Sequence, residues 1–269
     1  MADLPEALDT AQRCVLAFRG RRGPLLSPMA FWADGSSLWM STPAASVKAA
    51  ALRARPECSA YVPDATGTGG LRITGIARIF GLHDPLGLAV HGPLVSAAMA
   101  ALAARNTGTI LGYVQDARFV PARFRPRNRV AVRVRIDDVT EVRAPSAGPG
   151  VAPALPGVIP TGVRRALTGR RSVVLAAGDG EQPPVVVPAV WGAGFRLDVP
   201  GRQAPPGPAV VHVGSDPHRR PTAVVGLSLA GPFDGDRLVP RRATWWEGFN
   251  LRTVDLPEQR PTSSIVLPD

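Results

Sequence analysis

Cysteine is almost absent. Cys14 and Cys58 are the only two in 269 residues, too few for a disulfide-stapled scaffold or a cysteine-rich zinc site, and they suit a reducing compartment. Lysine is scarcer still: Lys48 stands alone among 31 basic residues, and arginine makes up the rest. The first eight residues, with Asp3 and Glu6, lack a basic leading segment and an apolar stretch, so no secretory leader is read there. The longest apolar run, residues 94–104, falls short of the ~20 residues that span a bilayer. A cytoplasmic protein without a membrane partner is expected. The four histidines, His83, His91, His212 and His218, have no ligand spacing, so no metal site is expected. Ser172, Ser215 and Ser228 lack the context of a nucleophile elbow, and the loop Gly67-Thr-Gly69-Gly70 precedes a strand pattern where a phosphate-binding loop needs a helix.

What is present is a globular composition, 45% apolar and 19% charged, with 28 glycines and 29 prolines implying many tight turns. At ~100–200 residues per domain the length favours two medium domains. Residues 144–160 read APSAGPGVAPALPGVIP, with proline or glycine too frequent for helix or ladder, and form a linker. The expected division is therefore residues 1–143, a linker over 144–160, and residues 161–269. Before the linker, residues 14–18, 25–31, 37–41, 59–62, 71–80 and 129–142 are short, rich in β-branched or aromatic residues, and bounded by turn formers. Two helices interrupt them, one over about 44–55 and one carrying Leu94, Val95, Ala98, Met99 and Leu102 and ending before Gly108.

After the linker, strand patterns return in the same order at 172–176, 184–190, 194–199, 209–213, 223–230 and 249–256. Cys14-Val-Leu-Ala-Phe pairs with Ser172-Val-Val-Leu-Ala, and Pro28-Met-Ala-Phe31 with Pro188-Ala-Val-Trp191. Further on, Ile73-Thr-Gly75 pairs with Val224-Val-Gly226, and Phe119-Val-Pro121 with Leu238-Val-Pro240. Four matches in one order indicate an internal repeat. The second copy carries Val199-Pro-Gly-Arg-Gln-Ala-Pro-Pro-Gly-Pro208 where the first has its helix, so that helix is lost. The reading is mainly β: two tandem β-barrels, the second stripped of helices.

The net charge of +10 invites a polyanionic partner, but the arginines are scattered. In the one dense run, Arg129, Arg133 and Arg135 alternate with Val130, Val132 and Val134, which predicts a strand with one basic face. No aromatics interleave for base stacking, so nucleic acid is not favoured. An acidic small molecule suits that face better.

The junction over residues 38–56, LWMSTPAASVKAAALRARP, carries the most chemistry. Thr42 reads as a helix N-cap with Pro43 at the first helical position. Ser46 and Lys48 then flank the positive end of the helix, an arrangement that favours a phosphate. These residues resemble the pyridoxamine 5′-phosphate oxidase-like split β-barrel family of flavin and deazaflavin proteins. In that family a strand ends in Thr or Ser, a Ser-Arg-Lys-like helix start follows, and Leu and a proline precede the next strand. Here they are Ser41-Thr42, Ser46-x-Lys48, Leu52 and Pro56, with Val47 where the family often has Arg. The resemblance covers residues 11–80 best and 118–142 more loosely.

The resemblance implies a cofactor phosphate at Ser41, Thr42, Ser46 and Lys48, with an isoalloxazine-type ring along Ser27, Pro28, Met29 and Ala30. FMN is the expected cofactor, with a deazaflavin or haem as alternatives. Family members hold the cofactor between two barrels of a homodimer. A tandem repeat would put both walls in one chain, a pseudo-dimer with one site, while whole chains could pair further. Candidate wall residues from the second half are Trp245, Trp246, Arg241, Arg242 and His212, and adjacent tryptophans in a strand point to opposite faces. The implied activity is oxidoreduction of a small-molecule substrate, with no acid or base named. Two other readings stay open: a haem- or ligand-binding barrel without turnover, one histidine serving as axial ligand, and a degenerate interaction module.

Overall fold

In a computed structural model the described residues are 6–82, 84–116, 118, 120–121, 129–178, 180, 182–214 and 221–257. His83, His218, Ser215 and the start of the Phe119 match lie outside them. A short helix α1 (Glu6–Thr10) leads into strands β1 (Arg13–Gly20), β2 (Gly23–Ala33) and β3 (Ser37–Pro43). Helix α2 (Val47–Ala54), β4 (Glu57–Pro63) and β5 (Gly69–Phe80) follow, then α3 (Pro85–Arg105), α4 (Thr107–Gln115) and β6 (Arg129–Arg143). The six strands close into an antiparallel barrel ordered β1-β2-β3-β6-β5-β4.

Alternation builds this barrel. Strand β6 sends Val130, Val132 and Val134 into the core beside Phe31, Leu38, Met40 and Ile73, and turns Arg129, Arg133 and Arg135 outward. Each such side chain removed from water stabilises the fold by about 1.5–3 kcal/mol. Strand β5 kinks at a bulge between Thr74 and Gly75. A Cβ at Gly75 would lie 2.0 Å from the Arg135 carbonyl oxygen, so only glycine permits that approach. Helix α2 closes one side of the barrel with Ala49 and Leu52.

The second half has α5 (Thr161–Ala166) and strands β7 (Ser172–Ala177), β8 (Val185–Trp191), β9 (Leu197–Asp198), β10 (Gly207–Gly214), β11 (Val225–Phe233), β12 (Arg242–Glu247) and β13 (Asn250–Asp255). They form one seven-stranded sheet ordered β13-β12-β11-β10-β7-β8-β9. From β9 to β12 this order reproduces that of β3 to β6 in the barrel, which is the repeat expressed as topology. The ladder that closes the first barrel, β3 with β6, has no full counterpart. A single bridge, Arg196 with Arg237, ties the β9 end to the turn after β11, so the sheet curls around its own core of Leu175, Val187, Trp191, Leu227, Leu229 and Trp245.

The sequence match of Cys14 with Ser172 is one residue out of step. Cys14 points inward, whereas Ser172 is exposed and Val173 takes the inward place. In a period-two structure a single slip exchanges the two faces. Residues 144–160 carry no helix or strand, yet Leu155 and Ile159 pack against the second core and Arg171 donates to the carbonyls of Ala147 and Gly148.

The two halves meet through a third apolar cluster: Ala17, Tyr61 and Val142 from the barrel against Ala176, Val186 and Val210 from the sheet. Strand β2 lies against β10, and β8 against β4. Because β2 corresponds to β8 and β4 to β10, these are the same contact seen twice, the mark of an approximate two-fold interface.

The helix expected near Leu94 is longer than its apolar run suggested. It runs from Pro85 to Arg105, twice the apolar run, because Asp84 caps it by accepting from the Gly87 N–H. It is long and apolar enough, by length and composition, to cross a membrane. One face, with Val95 and Ala98, packs on Trp39 and Phe80, while Leu86, Val90 and Leu94 are exposed. The helix ends at Arg105, before Gly108 as the sequence indicated, and a further helix that the sequence did not indicate, α4, follows it.

Candidate functional site

Strand β3 delivers its residues to two sides. Leu38, Met40 and Thr42 share the inward face, and Thr42 is fully buried; Ser37, Trp39 and Ser41 share the outward one. Thr42 is not the helix cap. The strand continues through Pro43, and the chain turns through a Ser46 N–H to Pro43 carbonyl bond before α2 opens at Val47. Ser46 is the cap: its Oγ accepts from the Ala49 N–H at 3.1 Å and lies 3.1 Å from Thr42 Oγ1. A proline at residue 43 fits extended backbone as readily as a first helical turn, which is why the sequence misplaces the boundary by a turn.

Lys48 sits in the first turn of α2 and reaches across to β2. Its Nζ donates to Ser27 Oγ at 2.6 Å and touches Met29 Sδ. Ser27 and Met29 share the β2 face that carries Phe31 into the barrel core. The stem of Lys48 remains partly exposed while its ammonium is withdrawn from water. Burial, and to a lesser degree the Arg129 guanidinium, push its pKa down to about 7. Among the described residues no carboxylate makes an ion pair with it. Arg129 lies behind Ser41, donating through Nε to Ser41 Oγ at 2.9 Å and through a terminal nitrogen to the Ser41 carbonyl at 2.7 Å. Two cations thus approach one corner of the barrel, a concentration of positive charge that favours an anion.

The predicted residues are therefore divided. Ser27, Met29, Thr42, Ser46 and Lys48 gather on the inward side at the α2 end. Pro28, Ala30 and Ser41 lie on the outward side, where Pro28 is exposed and Ala30 half-buried. On that side Gly23 abuts Pro208, and Leu26 packs in the cluster that holds Val210. His212 follows Val210 by two residues and so shares its face of β10. His212 stacks on Trp246, with ring centres 5.3 Å apart and planes 11° from parallel.

Trp245 does not line this cleft. It is buried in the core of the second half, because alternation along β12 puts it on the face opposite to Trp246. A Cβ at Gly226 would lie 2.1 Å from the Trp246 ring, so glycine there makes room for the indole. Arg242 is held by Asp255 at 2.8 Å. Burial drives the His212 pKa down to about 4, against an opposing pull from the Leu227 carbonyl, so the imidazole is neutral near pH 7.

Sequence reasoning passed over several residues. Asp116, at the end of α4, accepts from Thr222 Oγ1 at 2.6 Å and ties the helical arm of the barrel to the second half beside β10. Trp39 stacks on Phe80 and lies under Arg133, which also donates to Ser37 Oγ at 2.8 Å. The basic face of β6 is thus partly engaged by its own barrel. Helical arm and second half meet only in three dimensions, so no local spacing signals Asp116 or Thr222. Both thiols are pushed up to about 12 by burial, and Cys14 and Cys58 are packing groups. Among the described residues no cluster of His, Cys, Asp or Glu could hold a metal ion. Two cavities open elsewhere, one of about 440 Å³ beside Arg171 and Asp198 and one of about 150 Å³ between Arg19 and Pro208.

No protein-family model matches the chain, and no curated protein matches its sequence. Solved structures resemble one half of it. An F420 reductase is 20% identical, covering 52% of this chain and 98% of its own, with a TM-score of 0.36. A Clostridium acetobutylicum protein related to general stress protein 26, of the pyridoxinephosphate oxidase family, is 15% identical over 51% and 84%, with a TM-score of 0.33. HutZ, the haem storage protein from Vibrio cholerae, is 14% identical over 51% and 90%, with a TM-score of 0.37. In the first half, the closed six-stranded barrel with the helix carrying Ser46 and Lys48 between β3 and β4 is the split β-barrel arrangement that the sequence resemblance implies.

Proposed function

We propose that the chain binds a phosphate-bearing flavin or deazaflavin and acts as an oxidoreductase on a small molecule. The two halves then serve as the two walls of one site, a pseudo-dimer in a single chain. The observation that carries this reading is the desolvated Lys48 ammonium on Ser27, under the influence of Arg129 and with no carboxylate in ion-pair reach of it among the described residues. A buried cation of this kind is costly unless an anion completes it. A phosphate does so, and Ser27 Oγ, already on Lys48, can turn to donate to it. Thr42 supports the group indirectly, through Ser46.

A bound flavin or deazaflavin would supply hydride transfer. The chain's own part is to hold the phosphate with Lys48 and Ser27, to shelter the ring between Pro28 and Ala30 on one side and the second half on the other, and to keep bulk water from it. FMN is the first candidate, being the simplest flavin with a terminal phosphate. Neighbouring folds that bear the names F420 reductase and HutZ keep a deazaflavin and haem as the alternatives to be tested.

The test is an absorbance spectrum of freshly purified protein, followed by melting curves with FMN, coenzyme F420 and haemin. A ligand at 100 times its dissociation constant adds about 2.7 kcal/mol of stability, a shift of several degrees. Flavin-like absorbance, or a shift with FMN or F420 that Lys48→Met abolishes, supports the proposal. A Soret band with no response to either flavin, or no response to any of the three, overturns it.

A further inference from the structure

His212 and Ser228 are direct cross-strand partners on β10 and β11, on the face of the second half that turns toward the barrel. His212 is 7% exposed. Its Nδ1 and the Ser228 Oγ are both buried with no hydrogen-bond partner. Buried polar atoms are nearly always paired, and leaving one unpaired costs far more than an average hydrogen bond contributes. Two such atoms on neighbouring residues, beneath a stacked indole, mark a place where a partner belongs.

The internal repeat supplies the control. Val15 pairs with Tyr61 in the barrel, and Val174 pairs with His212 in the second half, so Tyr61 and His212 occupy equivalent places on the two sides of the approximate two-fold. Tyr61 is as buried as His212, yet its hydroxyl donates to the Gly69 carbonyl at 2.7 Å. Among the described residues, β4 also carries one unpartnered buried atom, Ser59 Oγ, but two such atoms on directly paired residues occur where β10 faces β2, the strand that carries Ser27 and Pro28. On the equivalent side, where β4 faces β8, the corresponding residue is satisfied within the protein.

Resting on the function proposed above, we infer that His212 and Ser228 form the specificity wall of that site, receiving the polar edge of a planar heterocycle that carries an N–H donor flanked by carbonyl acceptors. The neutral imidazole offers Nδ1 as an acceptor for the N–H, and Ser228 Oγ–H donates to an adjacent carbonyl. Trp246 holds the imidazole in plane by stacking on it. Isoalloxazines and deazaflavins share this edge, whereas haem has none. His212 is thus a positioning and selecting group with no proton to transfer.

The test uses the full chain, with FMN and F420 and their N3-methylated forms as probes. His212→Phe keeps the stack on Trp246 and removes the orphan nitrogen. Without ligand, this variant is expected to melt at or above the temperature of the unaltered protein. It should bind the probe that the unaltered protein prefers about ten-fold more weakly, and should not distinguish methylated from unmethylated probe, although the unaltered protein does. Ser228→Ala gives the same comparison if His212→Phe fails to fold. Equal binding by the variant and the unaltered protein, with methylation discriminated by both, overturns this inference and leaves the proposed function standing. Binding of neither probe by the unaltered protein overturns both.

Discussion

Replacing Lys48 by methionine keeps the length of the side chain and deletes a cation that burial holds at a pKa of about 7, against 10.5 in an open chain. A group whose folded pKa lies below its unfolded one destabilises the fold where both forms are protonated. That cost is fully present below pH 7 and is relieved as pH climbs toward 10.5, because the unfolded chain there binds more protons than the folded one. A difference of this size corresponds to an upper bound of about 5 kcal/mol, and the partly exposed stem lowers it to about half of that in practice. The expected result is that Lys48→Met melts well above the unaltered protein at pH 6.5, and that the gap closes steadily between pH 7 and 10. Groups shared by both proteins cancel in the difference. Inorganic phosphate should narrow the gap by stabilising only the lysine form. Parallel pH profiles, or a methionine variant less stable at pH 6.5, would refute the claim that Lys48 is an uncompensated cation.

Arg129→Gln removes the charge that helps depress Lys48, so in this background the window over which the gap closes should move to higher pH, read from the same melting curves. It also forfeits the bonds to Ser41, at about 0.5–1.5 kcal/mol each. Trp245→Ala should cost about 3–5 kcal/mol by opening a cavity in the second core. Trp246→Ala should cost much less in denaturant titrations while weakening cofactor binding; equal losses for the two would contradict the division of faces along β12.

The barrel was legible because its strands carry their period openly: the alternation of valine and arginine in β6 predicts both its inward face and its basic outward one. The repeat was legible as order. Its register was not, since a match of apolar letters such as Cys14 with Ser172 cannot tell inward from outward positions. At the site, Ser46 and Lys48 stood out by their spacing on one helix. The cap was assigned to Thr42 because proline suits a strand end as well as a helix start. Arg129, Asp116 and Ser228 were passed over as site residues for a common reason: their partners, Ser41, Thr222 and His212, lie on other elements and come near only when the barrel closes or the halves meet.

The approximate two-fold between the halves has a consequence for how such a protein can change. When two identical subunits face each other, every substitution appears twice and must suit both places at once. Joined through residues 144–160, the two halves meet at a local concentration set by the tether, so dilution cannot separate them. Each copy is also free to vary alone. One kept the helix with Lys48, and the other shed its counterpart and placed histidine where its twin has Tyr61.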